Sequence, residues 1–533
     1  MTKKFKTPLL ALALSFAFIV AGCTNNGGGQ SISSPVDQPK PNDGVTAGVQ
    51  GGEGKASDKP VTATLFYYDE VFQISGDMPV LRKAAEMTNV SLQNVAPTGG
   101  EAEQAYNLML ASGELPDIIA YRTADLNSIA LEGALQPLDD LIAEHAPNLS
   151  EFLDDQPDIR KALEASDGKI YTIPFVSDGT AKEGWFIRKD WLDKLGLPEP
   201  KTVNDYYQVL KAFKEKDPNG NNKQDEIPFF HRNALIGVYS LLPLWDSFND
   251  FYVAEGKVHY GPYEPAYKEG LSNIAKWYEE GLIDKEIFTR GNKARDVLFA
   301  NNTGGSTHDW FASTSNYNTS ISDKVSGFDL RPVPPPASVS GKVQELTKRD
   351  KLNGSGWALS TKAKDHVMLI KYLDFWWSEE GRRLFNFGIE RETYTLVDGN
   401  PKFTEEVLKQ PSVVDHLISK YGAQLNIGAW QDFSYEEQWS SKIALEGIKM
   451  YQDNNYINTE FQLPPLNFTQ EEKNRLKEIY PPIQTYVSEI SQRWVMGGEE
   501  VESGFDTYCA QLKQMGMDEV LSIYQAAFDR FIQ

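Results

Sequence analysis

The sequence predicts an α/β protein whose sheets are mixed, mostly parallel and flanked by helices. Residues 61–68, 90–95 and 116–121 are rich in β-branched and aromatic side chains, which favour strands. Residues 79–89 and 101–112, which lie between them, have the apolar spacing of helices. Strands that alternate with helices form βαβ units, in which the paired strands run parallel.

Further helices are predicted over 202–215, 265–280, 364–378 and 503–531. A chain of 533 residues is long enough for two or three domains with hydrophobic cores of their own. The chain has only 2 cysteines, so no framework of disulfides is expected. The size of the cores, and no covalent cross-linking, is therefore expected to stabilise the fold.

The net charge of the chain excludes one class of partner. Lys and Arg number 52 against 75 Asp and Glu, which gives a formal charge of −23. A nucleic-acid-binding protein needs clustered Lys and Arg to neutralise phosphates. The same deficit argues against adhesion to anionic lipids by charge alone. The sequence therefore predicts no nucleic-acid partner and no electrostatic binding to a membrane.

Residues 1–22 are predicted to be a secretory signal peptide. Several lysines precede the apolar stretch 9–20, which is followed by small residues. The stretch is shorter than the ~20 residues that a helix needs to cross a bilayer. It ends in Val-Ala-Gly-Cys at 20–23, which resembles the lipobox of bacterial lipoproteins. This resemblance implies that Cys23 is diacylated and becomes the N-terminus of the mature protein.

A polar segment follows the predicted lipidation site. Residues 24–60 consist of Gly, Ser, Asn, Pro and Asp with almost no large apolar side chain. Such a segment cannot bury enough apolar surface to fold. We therefore expect 23–60 to be a lipidated cysteine and a disordered tether that holds a globular body at the outer face of the cell membrane.

Oxygen-bearing side chains are concentrated in 217–226, directly after the helix predicted over 202–215. Asp and Asn occupy positions 1, 3, 5 and 9 of this segment, as in the first part of an EF-hand calcium loop. Calcium takes about 6–8 oxygen ligands, and alternate residues in a tight loop turn their oxygens inward. Pro228 stands at position 12 in place of the closing glutamate, so Glu226 is the candidate for that ligand. The alternative is a solvated turn.

Four stretches of the chain follow one another in an informative order and spacing. They are LASGELPDII at 110–119, DGKIYTIP at 167–174, and the longer stretches 186–213 and 357–387. Together they resemble the family 1 extracellular solute-binding proteins, the carbohydrate-binding lipoproteins of ABC importers. The resemblance is greatest to the long, calcium-containing branch, which includes the alginate-oligosaccharide-binding proteins and the Lpl-type lipoproteins of Gram-positive bacteria.

The resemblance implies a two-lobed, periplasmic-binding-protein-like fold of type II with a hinge between the lobes. The N-terminal lobe would comprise 61–178 plus about 325–388, and the C-terminal lobe 179–324 plus about 389–533. The resemblance also implies a structural calcium ion in the second lobe. Its ligands would be Asp217, Asn219, Asn221, Lys223 through its carbonyl, Asp225 and Glu226.

Ligand-binding side chains are expected on loops at the carboxyl ends of strands, which face the cleft between lobes. Aromatic rings pack against the C–H faces of sugars, and carboxylates, amides and Arg bind sugar hydroxyls. The candidates are Tyr68, Asp69, Glu70, Tyr121, Arg122, Trp185, Asp309, Trp310 and Trp357. For each tryptophan, packing in the core is the alternative to ligand contact.

The resemblance implies a lipid-anchored monomer that captures an oligosaccharide between its lobes and delivers it to an ABC permease. Lipid anchoring suits a Gram-positive bacterium, where no outer membrane retains a secreted protein. The sequence lacks the local motifs of serine hydrolases, P-loop ATPases and zinc proteases, and no enzymatic activity is predicted. Two alternatives stay open. One is a secreted polysaccharide-degrading glycoside hydrolase or lyase, whose carboxylates come from distant parts of a sequence. The other is a surface adhesin or peptide receptor.

Overall fold

The computed structural model of the chain describes residues 55–69, 72, 74–97, 101–410 and 412–533. The predicted signal peptide, the predicted lipidation site Cys23, most of the predicted tether and the candidate Glu70 lie outside the described residues.

The strands alternate with helices along much of the chain, as predicted. They are β1 (Val61–Tyr67), β2 (Val90–Asn94), β3 (Ile118–Arg122), β4 (Ile173–Ser177), β5 (Glu183–Arg188), β6 (Ile227–Phe229), β7 (Phe251–Ala254), β8 (Lys257–Tyr260), β9 (Gly304–Trp310), β10 (Leu330–Val333), β11 (Leu352–Leu359), β12 (Tyr394–Val397), β13 (Asn400–Phe403) and β14 (Trp430–Gln431).

The helices cover the outside of the sheets and form most of the C-terminal region. They are α1 (Pro79–Thr88), α2 (Ala102–Ser112), α3 (Thr123–Leu131), α4 (Asp139–His145), α5 (Pro147–Asp155), α6 (Pro157–Leu163), α7 (Lys189–Leu195), α8 (Val203–Glu215), α9 (Ala234–Tyr239), α10 (Pro265–Glu279), α11 (Ala294–Ala300), α12 (Phe311–Ser315), α13 (Tyr317–Ser320), α14 (His366–Phe375), α15 (Glu379–Phe387), α16 (Glu405–Leu408), α17 (Val413–His416), α18 (Phe433–Trp439), α19 (Lys442–Asp453), α20 (Gln470–Val495), α21 (Val501–Gln514) and α22 (Met517–Ile532). Within the part of the chain that the structure describes, no helix is both long and apolar enough to cross a membrane.

Helix ends follow the local chemistry of the sequence. Thr202 caps α8 with a capping box, in which its hydroxyl accepts from the Asp205 amide and the Asp205 carboxylate accepts from the Thr202 amide. Gly113 ends α2 in the left-handed conformation. The single helix predicted over 503–531 is two helices, because Gly516 adopts a φ of 103° between α21 and α22.

The larger sheet has the strand order β14-β4-β11-β3-β1-β2, and the smaller sheet has the order β10-β5-β9-β6. β1 is parallel to β2 and β3, β4 is parallel to β14, and β6 is parallel to β9. β11 is antiparallel to both β3 and β4, and β5 is antiparallel to both β9 and β10. The predicted α/β class with mixed sheets is confirmed. Parallel pairs are fewer than expected, because β10 and β11 return from distant parts of the chain and run against their neighbours.

Each sheet has its own hydrophobic core. The first core surrounds the larger sheet and includes Leu65 and Ile118, while the adjacent residues Phe66 and Ile119 pack on the opposite face. Successive side chains of a strand point to opposite faces, so β1 and β3 bury both of their faces. The second core surrounds the smaller sheet and takes in the C-terminal helices α20, α21 and α22.

The two cores divide the chain at other points than the predicted lobe boundaries. Leu330 and Val333 were expected in the first lobe but belong to the second core, because β10 pairs with β5. Residues 389–431 were expected in the second lobe, yet Tyr394 and Phe403 belong to the first core. The reason is that β14, at the end of this segment, completes the larger sheet beside β4.

Segments 178–182, 334–351 and 432–441 connect the two cores, and we call them the interlobe crossings. Arg349 contacts all of these segments. Its Nη1 donates to Glu436 Oε2 at 2.5 Å and to the Asp178 carbonyl at 3.3 Å, and its amide donates to the Thr180 carbonyl at 2.8 Å. The guanidinium also lies 5.8 Å from the centre of the Phe433 ring. One largely buried side chain therefore ties the crossings to one another.

Replacing Arg349 by Met is expected to lower the free energy of unfolding by about 1.5–3 kcal/mol, the range for hydrogen bonds to charged groups. The loss leaves the buried Glu436 carboxylate without its cation. The control is Arg383→Met, which breaks an exposed pair with Glu379 within α15 and is expected to cost at most about 0.5 kcal/mol. Urea denaturation of both variants measures the difference, and equal losses would contradict the role given to Arg349.

Candidate functional site

A cavity of about 980 Å³ lies between the two cores. The first lobe contributes α3 and α6, including Asn127 and Asp158, and the second lobe contributes the segment 248–252. The crossing residues 346–351 and the segment 458–467 complete the wall. A volume near the upper end of the ~300–1,000 Å³ range of small-molecule sites provides room for more than one sugar ring.

Half-buried aromatic rings line the second-lobe side of the cavity. Phe248 stacks on Tyr252 with ring centres 4.2 Å apart, and Phe461 meets Phe248 edge-to-face at 5.5 Å. Phe251 stacks on Tyr524 at 3.8 Å, and Phe531 of the last helix also reaches the cavity. We call Phe248, Tyr252 and Phe461 the aromatic wall. Because these rings already pack against one another, the wall is in place without a ligand.

Polar side chains share the lining with these rings. The amides include Asn127, Asn249, Asn458, Gln462 and Asn467, and the ionisable lining residues are Asp158, Asp250, Asp350, Lys348 and Lys351. Several of them come from the same segments, 248–252 and 458–467, as the aromatic wall. A site that combines aromatic rings with amides and carboxylates suits a molecule that has apolar C–H faces and many hydroxyl groups.

The carboxyl end of β9 carries a second concentration of functional groups. Asp309 is buried, and Arg232 binds both of its oxygens at 2.9–3.2 Å while Arg295 lies 3.4 Å away. Burial tends to raise the pKa of Asp309, but the two guanidinium groups hold that pKa below its usual value. The next residue, Trp310, is 43% exposed, and the Lys182 ammonium lies 4.9 Å from its ring centre. Asp309 is therefore a buried support, and Trp310 presents its ring.

His308, on the same strand, is buried between carboxylates. Its Nε2 lies 2.8 Å from Glu345 Oε2, and its Nδ1 lies 3.9 Å from Glu183 Oε2. Burial tends to lower the pKa of His308, but the Glu345 carboxylate, with a smaller contribution from Glu183, outweighs burial and raises the pKa above its usual value. Because Glu345 belongs to an interlobe crossing, this pair joins the smaller sheet to that crossing.

Two of the predicted ligand-binding tryptophans are core residues. Trp357 is fully buried in the first core, and Trp185 is 3% exposed and packs edge-to-face on Tyr206 and His308. Neither ring is exposed, and neither lines the cavity. Each lies in the middle of a strand that is paired on both sides, β11 and β5, which the sequence pattern did not reveal.

The other candidates near the first sheet lie at the carboxyl ends of β1 and β3, as expected. Tyr121 stacks on Tyr106 with ring centres 4.0 Å apart, and exposed Arg122 pairs with Asp125 at 2.6 Å. Tyr68 and Asp69 are partly exposed, and Asp69 Oδ1 accepts from the Phe72 amide at 2.9 Å. None of the predicted ligand residues that the structure describes lines the cavity.

The residues that do line the cavity carry no recognisable motif in the sequence. The aromatic wall comes from two distant segments, 248–252 and 458–467, and neither matches a strand end with a recognisable motif. The density of aromatic and Asn residues in FNDFY at 248–252 was the available signal. It could not be separated from the many core aromatics without knowing which rings reach the surface.

The loop 217–226 lies between α8 and β6, as predicted, and folds tightly around its own polar groups. Asp217 accepts from the amides of Gly220, Asn221 and Asn222 at 2.9–3.0 Å. The side-chain nitrogens of Asn219 and Asn221 donate to Asp225 at 2.9–3.1 Å. Among the described residues, no group of three or more His, Cys, Asp or Glu side chains is arranged to hold a metal ion.

Glu226 is the unusual member of this loop. It is 1% exposed, and neither carboxylate oxygen accepts a hydrogen bond of normal geometry from the described residues. Burial raises the pKa of Glu226 above its usual value, the backbone amides of Glu226 and Asn219 act to lower it, and the neighbouring Asp217 and Asp225 carboxylates act to raise it. A buried carboxylate without a partner is costly, and a cation would offset that cost. The donor set of carboxylates, amides and the Lys223 carbonyl consists of the oxygen groups that calcium prefers.

Comparison with known proteins decides the family. Residues 77–383, more than half of the chain, match the family described as bacterial extracellular solute-binding protein. The chain belongs to this family. The recognition of a solute-binding protein from the sequence is thereby confirmed, and with it the two-lobed α/β fold.

Relatives of this solute-binding protein include carbohydrate-binding members of ABC importers. It is 28% identical over 467 residues to the fructooligosaccharide ABC transporter substrate-binding protein FusA of Streptococcus pneumoniae, covering 80% of this chain and 82% of FusA. The structure of the alginate-binding protein AlgQ2 without calcium ion matches with a TM-score of 0.77 and 38% identity, over 90% of this chain and 99% of that chain. The structure of FusA in complex with kestose matches with a TM-score of 0.70 and 25% identity, over 88% of this chain and 99% of that chain.

The His308–Glu345 pair makes the stability of this solute-binding protein depend on pH. Since the pKa of His308 is raised by folding, its contribution is complete below the ordinary value of about 6.5 and is lost as the pH rises through the folded value. The excess stability of the native chain over His308→Gln is therefore expected to fall between pH 6 and pH 9 in urea denaturation. Glu345→Gln should remove most of this dependence. A stability difference that stays constant over this range would contradict the assignment.

Proposed function

We propose that the protein captures an oligosaccharide in the cavity between its lobes and delivers it to an ABC permease. The observation that carries the proposal is the cavity itself, which both lobes line and which combines the aromatic wall with amides and carboxylates. FusA and AlgQ2, which share its fold and family, are described as fructooligosaccharide- and alginate-binding proteins.

The arrangement of the lobes gives the proposal a mechanism. A ligand in the cavity contacts α3 and α6 of the first lobe together with the aromatic wall of the second. Such a ligand has more contacts when the lobes are close together, so it shifts the population towards a closed form. The interlobe crossings are the segments that must bend, and the closed form would dock on the permease. Nothing in the proposal requires bond cleavage by this chain.

We further propose that the protein works as a monomer anchored to the cell membrane. Lipidation of Cys23 would hold a monomeric binding protein at the outer face of the membrane of a Gram-positive bacterium, near its importer. A tether over 23–60 would let the lobes reorient towards the permease. Among the candidates at the strand ends, Trp310 exposes an aromatic ring, the kind of surface on which sugar C–H groups pack.

Ligand binding can be tested with the protein lacking its signal peptide. Isothermal titration with an oligosaccharide that stabilises the protein in a thermal-shift screen should give saturable binding without new reducing ends, and small-angle scattering should show compaction. Phe461→Ala is expected to weaken binding at least tenfold, about 1.4 kcal/mol, because it removes part of the aromatic wall.

The matched control is Tyr207→Ala, which removes a half-buried ring of α8 that does not line the cavity, and which should leave affinity unchanged. Turnover of the oligosaccharide would favour the degrading enzyme instead. Binding to a polymer or a peptide without compaction would favour the adhesin or receptor.

We also propose that 217–226 binds a structural calcium ion. Asp217, Asn219, Asn221, the Lys223 carbonyl, Asp225 and Glu226 would hold it, and the buried, unpartnered Glu226 carboxylate is the observation that supports this. The Asn219 and Asn221 amides now direct nitrogen towards Asp225, and rotation of each amide would present oxygen instead. The ion would neutralise the loop and fix the connection of α8 to β6, with no part in ligand chemistry.

Calcium is expected to raise the melting temperature. At a free concentration 100-fold above the dissociation constant, the gain in stability is about 2.7 kcal/mol. Glu226→Gln should abolish the calcium-dependent part of the shift, while Glu215→Gln, an exposed change just before the loop, should preserve it. A melting temperature that does not respond to calcium in the native chain would show that the loop is a polar turn.

A further inference from the structure

We infer that the cavity binds an uncharged oligosaccharide in preference to a uronate oligosaccharide. This inference rests on the proposed function and specifies its substrate class. Similarity alone does not decide the matter, because FusA is described as binding fructooligosaccharides and AlgQ2 as binding alginate. The charge and the partners of the side chains that line the cavity decide between a neutral and a uronate ligand.

A uronate carboxylate needs a cation that is free to bind it, since burying an unpaired charge is costly. No arginine occurs among the described residues that line the cavity. The lining lysines already have partners: Lys351 Nζ donates to Gln156 Oε1 at 2.8 Å, and Lys348 Nζ lies 4.0 Å from Asp350 Oδ1. The lining carboxylates Asp158, Asp250 and Asp350 outnumber these two ammonium groups.

The carboxylates of the cavity repel the carboxylate of a uronate ligand. Asp158 on α6 of the first lobe, Asp250 beside the aromatic wall and Asp350 on a crossing are all exposed on the cavity lining. An ionised carboxylate can accept hydrogen bonds but cannot donate them. A neutral sugar offers hydroxyl donors to it, whereas a uronate adds an acceptor that is also an anion. The overall charge of −23 adds a long-range repulsion of the same sign.

The aromatic rings of the cavity also disfavour the carboxylate of a uronate. The face of an aromatic ring is the negative part of its quadrupole, so it attracts C–H groups and cations and repels carboxylates. Phe248, Tyr252 and Phe461 line the cavity, and Tyr252 already stacks on both Phe248 and His259, with ring centres 4.2 and 5.0 Å apart. A uronate would therefore have to bind beside these aromatic rings and the lining carboxylates.

A thermal-shift and titration screen of the soluble protein tests the inference with two pools. The neutral pool contains hydrolysates of fructan, arabinan, galactan, xylan and glucan, and the uronate pool contains hydrolysates of alginate and polygalacturonate. We expect the strongest binding from the neutral pool. Tighter binding by any uronate oligosaccharide would overturn the inference and leave the proposed function intact. Absence of binding by both pools would instead count against the proposed function.

Two trisaccharides that differ only in their carboxylates test how the charge of the ligand affects its affinity. Trigalacturonate and its carboxyl-reduced counterpart differ only in a carboxylate against a hydroxymethyl group on each ring, and we expect the reduced form to bind at least tenfold more tightly. Asp158→Asn should narrow that ratio severalfold by removing the carboxylate of the first lobe. Asp193→Asn removes the same charge from α7, away from the cavity lining, and should leave the ratio unchanged. A ratio of one or below in the native protein would contradict the inference.

Discussion

Arg349 is the side chain on which the arrangement of the two lobes depends. Each lobe has its own sheet and core, and the interlobe crossings add apolar side chains to both cores, such as Tyr435 to the first and Ala181 to the second. The guanidinium meets the Glu436 carboxylate and the Asp178 carbonyl, and its aliphatic part lies beside Gly179. A charged hydrogen bond with little solvent access keeps its strength, yet a single side chain leaves the crossings free to bend. Both properties suit a protein that must close around a ligand and reopen.

The cavity and the buried ionic groups of the smaller sheet serve different purposes. His308 with Glu345, and Asp309 with Arg232 and Arg295, fix the end of β9 and a crossing at the edge of the cleft. Such groups orient their neighbours, as Asp309 does by accepting from the Trp310 amide at 2.7 Å. The cavity itself presents half-buried rings and exposed carboxylates. Rigidity therefore comes from charges that are paired, and recognition from groups that are left accessible.

Much of the fold could be predicted from the sequence, and much of the site could not. Local signals placed β1, α1 and the start of α8 to within a residue or so, because strand propensity, helical periodicity and capping act over a few neighbours. The burial of Trp185 and Trp357 could not be predicted, because strand pairing on both sides decides whether a ring is buried. The packing of 389–431 likewise depends on β14, which pairs with a strand far back in the chain.

The sequence by itself determined the α/β class, the solute-binding family and the polar loop 217–226. Each of these depends on composition or on residues close together in the chain. Only the tertiary structure decided which aromatic rings reach the cavity, which carboxylates face it and where the lobes are joined. Those features arise where segments such as 123–127, 248–252 and 458–467 meet. Their meeting is set by the packing of both lobes, which no local pattern encodes.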